Sequence, residues 1–402
     1  MMHKKLKLND VCEFVGGSQP PKSEFSSVKL SGYVRLIQIR DYKTNEFLTY
    51  ISKDSTKKFC NTKDIMIGRY GPPIFQILRG LEGAYNVALM KAIPKENIDN
   101  DYLFYFLSQE HLFNYIDGLS PRTGGQTGVD VTMLKEYPIT LPNINYQSRV
   151  AEILRGLDLK IELNNKINVE LEAMAKLIYD YWFVQFDFPD AKGKPYKSFG
   201  GQMVYNEELK REIPKGWEVK ELSEIANITM GQSPSGSSYN DSGEGTIFFQ
   251  GSTDFGYRFP SVRQYTTEPS RLAKIGDILL SVRAPVGTLN IADNDCCIGR
   301  GLAALNSKDN ANSFLFYVML YFKQIFDRRN TSGTTFGSIT KDDLFSLKLV
   351  YPTSDVLNDY DSKVADFNSK IFNNHQQNKE LIQLRDWLLP MLMNGQATVK
   401  NA

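Results

Sequence analysis

The chain begins again halfway along. "LKLNDVCEFVGGSQPP" (6–21) returns within "WEVKELSEIANITMGQSPS" (217–235), with Leu8 on Leu222, Asp10 on Glu224, Val11 on Ile225, Phe14 on Ile228, Gly17 on Gly231 and Pro20 on Pro234, an offset of 214. "KDIMIGRYGPP" (63–73) resembles "GDILLSVRAPV" (276–286) at offset 213, "YLFYFL" (102–107) matches "FLFYVM" (314–319) at 212, and "TLP" (140–142) matches "VYP" (350–352) at 210. A slowly drifting offset means one duplicated unit with small loop deletions. Two copies of this length are too long and too few for a solenoid. They read as a domain present twice, which a chain of 402 residues can accommodate.

Each copy has two parts. The first mixes short β-branched and aromatic runs ("YVRLIQIRD", "FLTYIS", "IMIGRY", "TIFFQG", "DILLSV") with Gly, Pro, Ser and Asn turns, a strand pattern. Helical stretches are expected at 100–116 and 312–326, so this part is α+β. The second part is different. From about Gln147 to Phe183 only Gly156 interrupts a run free of Gly and Pro. Val150, Leu154, Leu157, Ile161, Asn164, Asn168, Leu171, Met174 and Ile178 follow one another at steps of four and three, a coiled-coil seam. Val364, Phe367, Ile371, Asn374, Asn378, Leu381, Leu384 and Leu388 repeat it, each 210 residues after its counterpart. Asparagine at a seam costs stability but can fix register and partner; the plainer alternative puts these side chains on an exposed helix edge. The organisation expected is therefore 1–145 globular, 146–187 helical, 188–216 a Gly/Pro/Lys-rich linker, 217–353 globular and 354–402 helical with a tail. "NEELKREIP" within the linker reads as a short exposed helix.

Catalytic equipment is sparse. His3, His111 and His375 are far apart in sequence, which argues against a metal site or a histidine-based triad. No G-x-x-x-x-G-K-[ST] loop occurs. "YGPPIF" (70–75) lacks the polar first residue of an amino-methyltransferase motif and reads as a proline-marked turn. Pro189-Asp190 followed by Glu208-Leu209-Lys210 has nuclease-like spacing, but the Asp lies in the linker and the Glu in the expected exposed helix. Cys12, Cys60, Cys296 and Cys297 do not make a disulfide framework, so a reducing cytoplasm fits best. The start lacks the apolar stretch of a secretory signal, and no apolar run reaches 18 residues. With a net charge of +1, any basic surface must be local.

What remains is a pair of strand-rich modules with polar loops suited to nucleic acid. "GGSQPPKS" offers Ser18, Gln19 and Lys22, and "GQSPSGSSYN" offers Gln232, Ser233 and Ser235. "YVRLIQIRD" (33–41), read as a strand, puts Arg35, Ile37 and Ile39 on one face and Gln38 and Arg40 on the other. "FFQGSTDFGYR" places Gln250, Ser252 and Arg258 at the comparable position, and "SVRAP" adds Arg283. Arg on guanine and Gln on adenine are the strong bidentate base contacts. "SPRTGGQTG" (Arg122, Thr123, Gln126) and "RRNTSGTTFGS" (Thr334, Thr335) suit phosphate. Singly, such loops are usually solvated turns. Their recurrence in both copies, with different side chains, is what reading two unlike half-sites requires.

With "GWEVKELSEIANITMGQSPS" (216–235), the junction "LIYDYWFVQFDFPDAKGKPYKSFGG" (177–201) and the tail "LRDWLLPMLMNGQATVK" (384–400), the chain resembles the specificity subunits of type I restriction–modification systems over essentially its whole length. The resemblance implies two similar α/β target recognition domains separated by two long helices packed as an antiparallel coiled coil. It implies that each domain reads half of a split double-stranded DNA site and that helix length sets the gap. It also implies that the subunit has no catalysis of its own. Two adenine methyltransferase subunits would bring S-adenosylmethionine, and restriction/translocase subunits would bring ATP and Mg chemistry, with no cofactor held by this chain. The rival from another class is a protein-binding scaffold with two similar modules on a helical strut.

Overall fold

Repetition in the sequence is repetition of a strand plan. The computed structural model describes residues 4–71, 73–119, 128–331 and 338–399. Two compact units emerge: Met1–Leu163 with Gln377–Ala402, and Asn164–Gln376.

In the first unit, strand Lys4–Lys7 pairs antiparallel with Pro138–Leu141, so the globular part opens and closes on adjacent strands. A single turn, Leu8–Val11, follows; the Asp10 carboxylate accepts from the Lys7 N–H at 2.9 Å and starts it. Cys12–Gly16, Leu89–Pro94, Ile65–Gly68 and Ile77–Leu78 then form an antiparallel sheet in that spatial order. A second sheet has the order Tyr50–Ser52, Tyr33–Ile37, Gly83–Tyr85, Phe59–Cys60, with its two central strands parallel. Helices Asn100–Leu107 and Glu110–Leu119 replace the one helix expected at 100–116. Buried Leu8, Ile65, Ile67, Tyr102 and Leu103 share one core with Val150 and Leu154 of the first long helix and Leu389 and Leu392 of the second.

The second unit repeats the plan. Glu218–Glu221 pairs with Lys348–Tyr351. Ala226–Met230, Leu302–Ser307, Ile278–Ser281 and Leu289–Ile291 form the antiparallel sheet. In the other sheet Thr246–Phe249 runs parallel to Cys296–Ile298, flanked by Leu272–Ala273 on one side and Tyr265–Thr266 on the other, with Tyr239–Asn240 added at the edge. Here the segment between the copies does not behave as a bare linker. Phe188 stacks on Tyr196 and Trp217 at 4.6 and 4.9 Å, and Phe186, Ile213 and Trp217 are buried in the unit's main core.

The long helices are Ile144–Tyr179, continued by a π-helical turn at Asp180–Val184, and Ser354–Met393. Within each unit their segments pack antiparallel. In the first, Asp158 meets Arg385 and the Tyr146 hydroxyl donates to the Ala397 carbonyl at 3.1 Å. In the second, Asn168 meets Asn374 and the Tyr360 hydroxyl donates to the Ala175 carbonyl at 3.4 Å.

Three expectations are corrected. The expected seam holds through Asn168 and Asn378 and then slips by one residue: Met174 and Leu384 are exposed, while Tyr179 and Leu389 are buried. These pairs are related by the same 210-residue offset, so the slip was duplicated with the helix. "YVRLIQIRD" is a strand only to Ile37; Ile39–Tyr42 is a 3-10 turn, because Asp41 accepts from the Gln38 N–H at 3.1 Å and ends the extension. "NEELKREIP" is the bend of a hairpin, Met203–Asn206 against Arg211–Pro214, with the Asn206 side chain accepting from the N–H groups of Glu208 and Leu209 at 3.0 Å each.

Candidate nucleic-acid interface

Strand ends gather loops at one edge of each unit. In the first, Cys12–Gly16, Tyr33–Ile37 and Ile65–Gly68 all finish there. The Gly17 N–H donates to Leu89 O (3.0 Å), Ser18 N–H to Tyr85 O (3.2 Å), Asn86 N–H to Ile37 O (3.1 Å) and Arg69 N–H to Ala88 O (2.8 Å). In the second the same weave recurs: Gly231 N–H to Leu302 O (2.9 Å), Gln232 N–H to Ile298 O (3.0 Å), Gly299 N–H to Phe249 O (2.8 Å) and Val282 N–H to Gly301 O (2.9 Å). Gly17 and Gly231 are required by this closeness. A Cβ on Gly17 would lie 2.0 Å from the Asn86 carbonyl oxygen, and one on Gly231 2.2 Å from that of Gly299. Burial pushes the Tyr85 phenol up to about 12, so it stays a neutral donor to the Val15 carbonyl, 3.3 Å away.

Several of the expected residues lie in or beside these strand-end loops, each in its own unit. Gln19, Lys22, Gln232, Ser235 and Arg283 are exposed, with Gln19, Gln232 and Arg283 in or next to the residues of this weave. Ser18 is held by the Thr56 hydroxyl at 2.5 Å. Gln38 and Gln250 occupy matching places, each just past the central parallel strand. Gln38 donates to the Thr49 hydroxyl at 3.3 Å, and Gln250 donates to Ser233 at 2.9 Å, so these amides are oriented rather than loose. Arg40 is exposed and sits over the Phe47 ring. Arg35 is half-buried beside Asp41 at 3.5 Å, an ion pair that stiffens the turn. Ser252 begins a 3-10 turn and is half-buried. Arg122, Thr123, Gln126, Thr334 and Thr335 lie outside the described residues. The residues that follow those loops do reach the edge, for Gly128 bridges to Tyr70 and Ser338 to Arg283.

Arg258 differs from expectation. It is 4 % exposed, and its guanidinium reaches Glu172 and Asn368 on the long helices at 2.7 and 2.6 Å, so it presents no free fork to a base. Sequence reasoning did not single out Arg69 and Arg300, two further cations at these edges. Arg69 and Arg300 lie at the edge next to Gly128 and Ser233 respectively, and the Arg69 guanidinium lies over the Tyr70 ring at 5.1 Å. The repeat held the signal for Arg69, which is one residue from the position matching Arg283.

The seam asparagines are buried, all four below 9 % exposure. Asn374 donates to the Asn168 side-chain oxygen at 2.8 Å. Among the described residues no group of three or more His, Cys, Asp or Glu could hold a metal ion, and no helix is long and apolar enough to cross a membrane.

This duplicated plan matches known proteins. The family described as the type I restriction modification DNA specificity domain matches residues 3–173 and again 214–384. A Methanocaldococcus jannaschii protein named as the specificity subunit of a type I restriction enzyme, MjaX, is 33% identical over 341 residues, covering 82% of this chain and 74% of that protein. The MjaIX specificity subunit from the same organism is 27% identical over 436 residues, 98% of this chain and 93% of its own. In fold, the crystal structure of a type I restriction–modification S subunit from M. genitalium is similar with a TM-score of 0.58 at 15% identity, covering 100% of this chain and 97% of that one. The chain thus belongs to the type I restriction modification DNA specificity family and carries its domain twice.

Proposed function

We propose that this chain is the DNA sequence-specificity subunit of a type I restriction–modification enzyme, each copy reading one half of a bipartite, asymmetric double-stranded site. The observation that carries this is the duplicated strand plan whose matching edges bear different side chains: Ser18, Gln19 and Lys22 against Gln232, Ser233 and Ser235. The same frame with unlike loop chemistry serves two unlike half-sites, with summed discrimination of roughly 1–3 kcal/mol per base pair. On this reading residues 1–145 and 217–353 are the recognition domains, 146–187 and 354–402 set their spacing, and 188–216 connects them. Gln38 and Gln250 are the adenine-reading candidates, and Lys22, Arg69, Arg283 and Arg300 the phosphate- or guanine-reading ones.

The chain itself performs no catalysis on this reading; methyl transfer and cleavage belong to partners. Exposed Met174 and Leu177 on the first helix and repeat-related Leu384 and Trp387 on the second give two matching apolar patches. They suit docking of two adenine methyltransferase subunits, which bring S-adenosylmethionine; restriction/translocase subunits using ATP and Mg would join through them. The test is co-expression with the partner methyltransferase and genome-wide mapping of modified adenines. A split, asymmetric motif is expected. A continuous motif, or none, refutes the proposal.

A further inference from the structure

Two arginines, Arg258 buried and Arg79 half-buried, occupy the same place by different routes. In the first unit Arg79, just after strand Ile77–Leu78, lies with its guanidinium carbon 3.8 Å from the centre of the Phe104 ring. Its Nη1 reaches Asp101 at 2.8 Å and its Nη2 approaches the Tyr105 hydroxyl and Asp158 of the first long helix at 3.5 and 3.7 Å. The Tyr105 hydroxyl donates to the same Asp158 oxygen at 2.5 Å, and Arg385 of the second long helix takes the other oxygen at 2.9 Å. In the second unit Arg258 lies 4.8 Å over the Phe316 ring. Its Nη1 donates to Glu172 and its Nη2 to Asn368, one on each long helix, and Asn368 passes the chain on to the Ser313 hydroxyl at 2.9 Å.

The receiving frame is duplicated. Asp101, Phe104 and Tyr105 map onto Ser313, Phe316 and Tyr317 at offset 212, and Asp158 maps onto Asn368 at offset 210. The arginines are not. By strand register, Met66 opposite Leu78 corresponds to Leu279 opposite Asn290, which puts Ile291 at the place of Arg79. The Ile291 N–H donates to the Arg258 carbonyl at 2.8 Å. A neighbouring loop thus delivers a guanidinium to the spot that the ladder residue no longer supplies.

Burying a guanidinium is costly, and an apolar filler often serves stability as well or better. A rigid planar fork does something an apolar filler cannot: its donors fix direction, for Arg258 between the globular part and both long helices, and for Arg79 between the globular part and the first long helix, with the second joined through Asp158. We infer that Arg79 and Arg258 are positioning residues for recognition, each fastening the globular part of its own unit to the long helices and so setting the direction in which that unit's loop edge faces DNA.

This rests on the DNA-reading proposal, and the test separates the two. The full chain with its methyltransferase partner is titrated with duplexes carrying the mapped motif, with one half scrambled, or with both scrambled, across a salt series. Arg258→Lys keeps the charge and loses the fork. We expect it to lose about tenfold in discrimination at one half-site, with the other half-site, the fully scrambled affinity and the salt slope unchanged. Arg79→Lys should do the same at the opposite half-site. Asn368→Ala, which keeps the arginine but removes its acceptor on the second long helix, should shift discrimination in the direction of Arg258→Lys and covers the case in which that variant misfolds. Wild-type discrimination in folded Arg258→Lys or Asn368→Ala overturns the inference, as does a salt slope smaller by about one, the mark of a lost phosphate contact. Absence of discrimination in the wild type overturns the DNA reading instead.

Discussion

Removing one member of the Asn168–Asn374 pair should cost more than removing both. The two amides are 8 % and 3 % exposed and joined by one hydrogen bond of 2.8 Å. Asn374→Leu deletes the donor and leaves the Asn168 oxygen buried without it. The lost bond contributes about 1 kcal/mol net, and the stranded acceptor adds about 1–3 kcal/mol. Asn168→Leu strands the Asn374 amide and should cost a similar amount. Replacing both by leucine removes both buried polar groups while restoring volume, a change that is often neutral or stabilising. The expected coupling is therefore of the order of 1–3 kcal/mol. Urea unfolding followed by tryptophan fluorescence suits this test, because Trp182 and Trp217 are buried in the core of the same unit, whereas Trp387 is exposed in the other. Single variants whose losses simply add to that of the double leucine variant would refute the reasoning. They would mean the pair is solvated and does not act as a buried polar layer.

Other outcomes follow from the same packing. Gly17→Ala must push a carbonyl aside and should cost about 3 kcal/mol, whereas Gly156→Ala, with open space around its Cβ position in a helix, should raise the melting temperature through a gain of up to about 1 kcal/mol. Arg283→Ala should lower the slope of log affinity against log salt by about one while leaving sequence preference largely intact. Inserting four residues at matching points of both helices adds about 6 Å to each and should lengthen the gap in the methylated motif without changing either half; an unchanged gap counts against the spacer role. Burial pushes the thiols of Cys12 and Cys296 up to about 12 and that of Cys60 up to about 11, so a thiol reagent at pH 8 should label them slowly until the protein is unfolded.

The duplication, the strand-rich modules and the helical seam could all be read in the sequence, because each is a periodic pattern. The limits lay where a single side chain outweighs the pattern. Asp41 ends the strand after Ile37 by accepting from Gln38, although alternation continues through Arg40. Asn206 turns a charged, helix-like segment into a bend. Arg258 looked like a loop arginine because its partners Glu172 and Asn368 are 86 and 110 residues away, beyond the reach of local reasoning. The seam slip at Met174 and Leu384 follows from Tyr179 and Leu389 filling the globular cores, which a heptad count alone does not register.

Each globular part begins and ends on one antiparallel pair, Lys4–Lys7 beside Pro138–Leu141 and Glu218–Glu221 beside Lys348–Tyr351. The polypeptide therefore goes in and comes out through a single doorway. A foreign cassette with the same pair of door strands could be spliced in with little disturbance to the scaffold beyond it. Recombination between related genes would then change one half of the address a genome is marked with, in one step, and leave the other half as inherited.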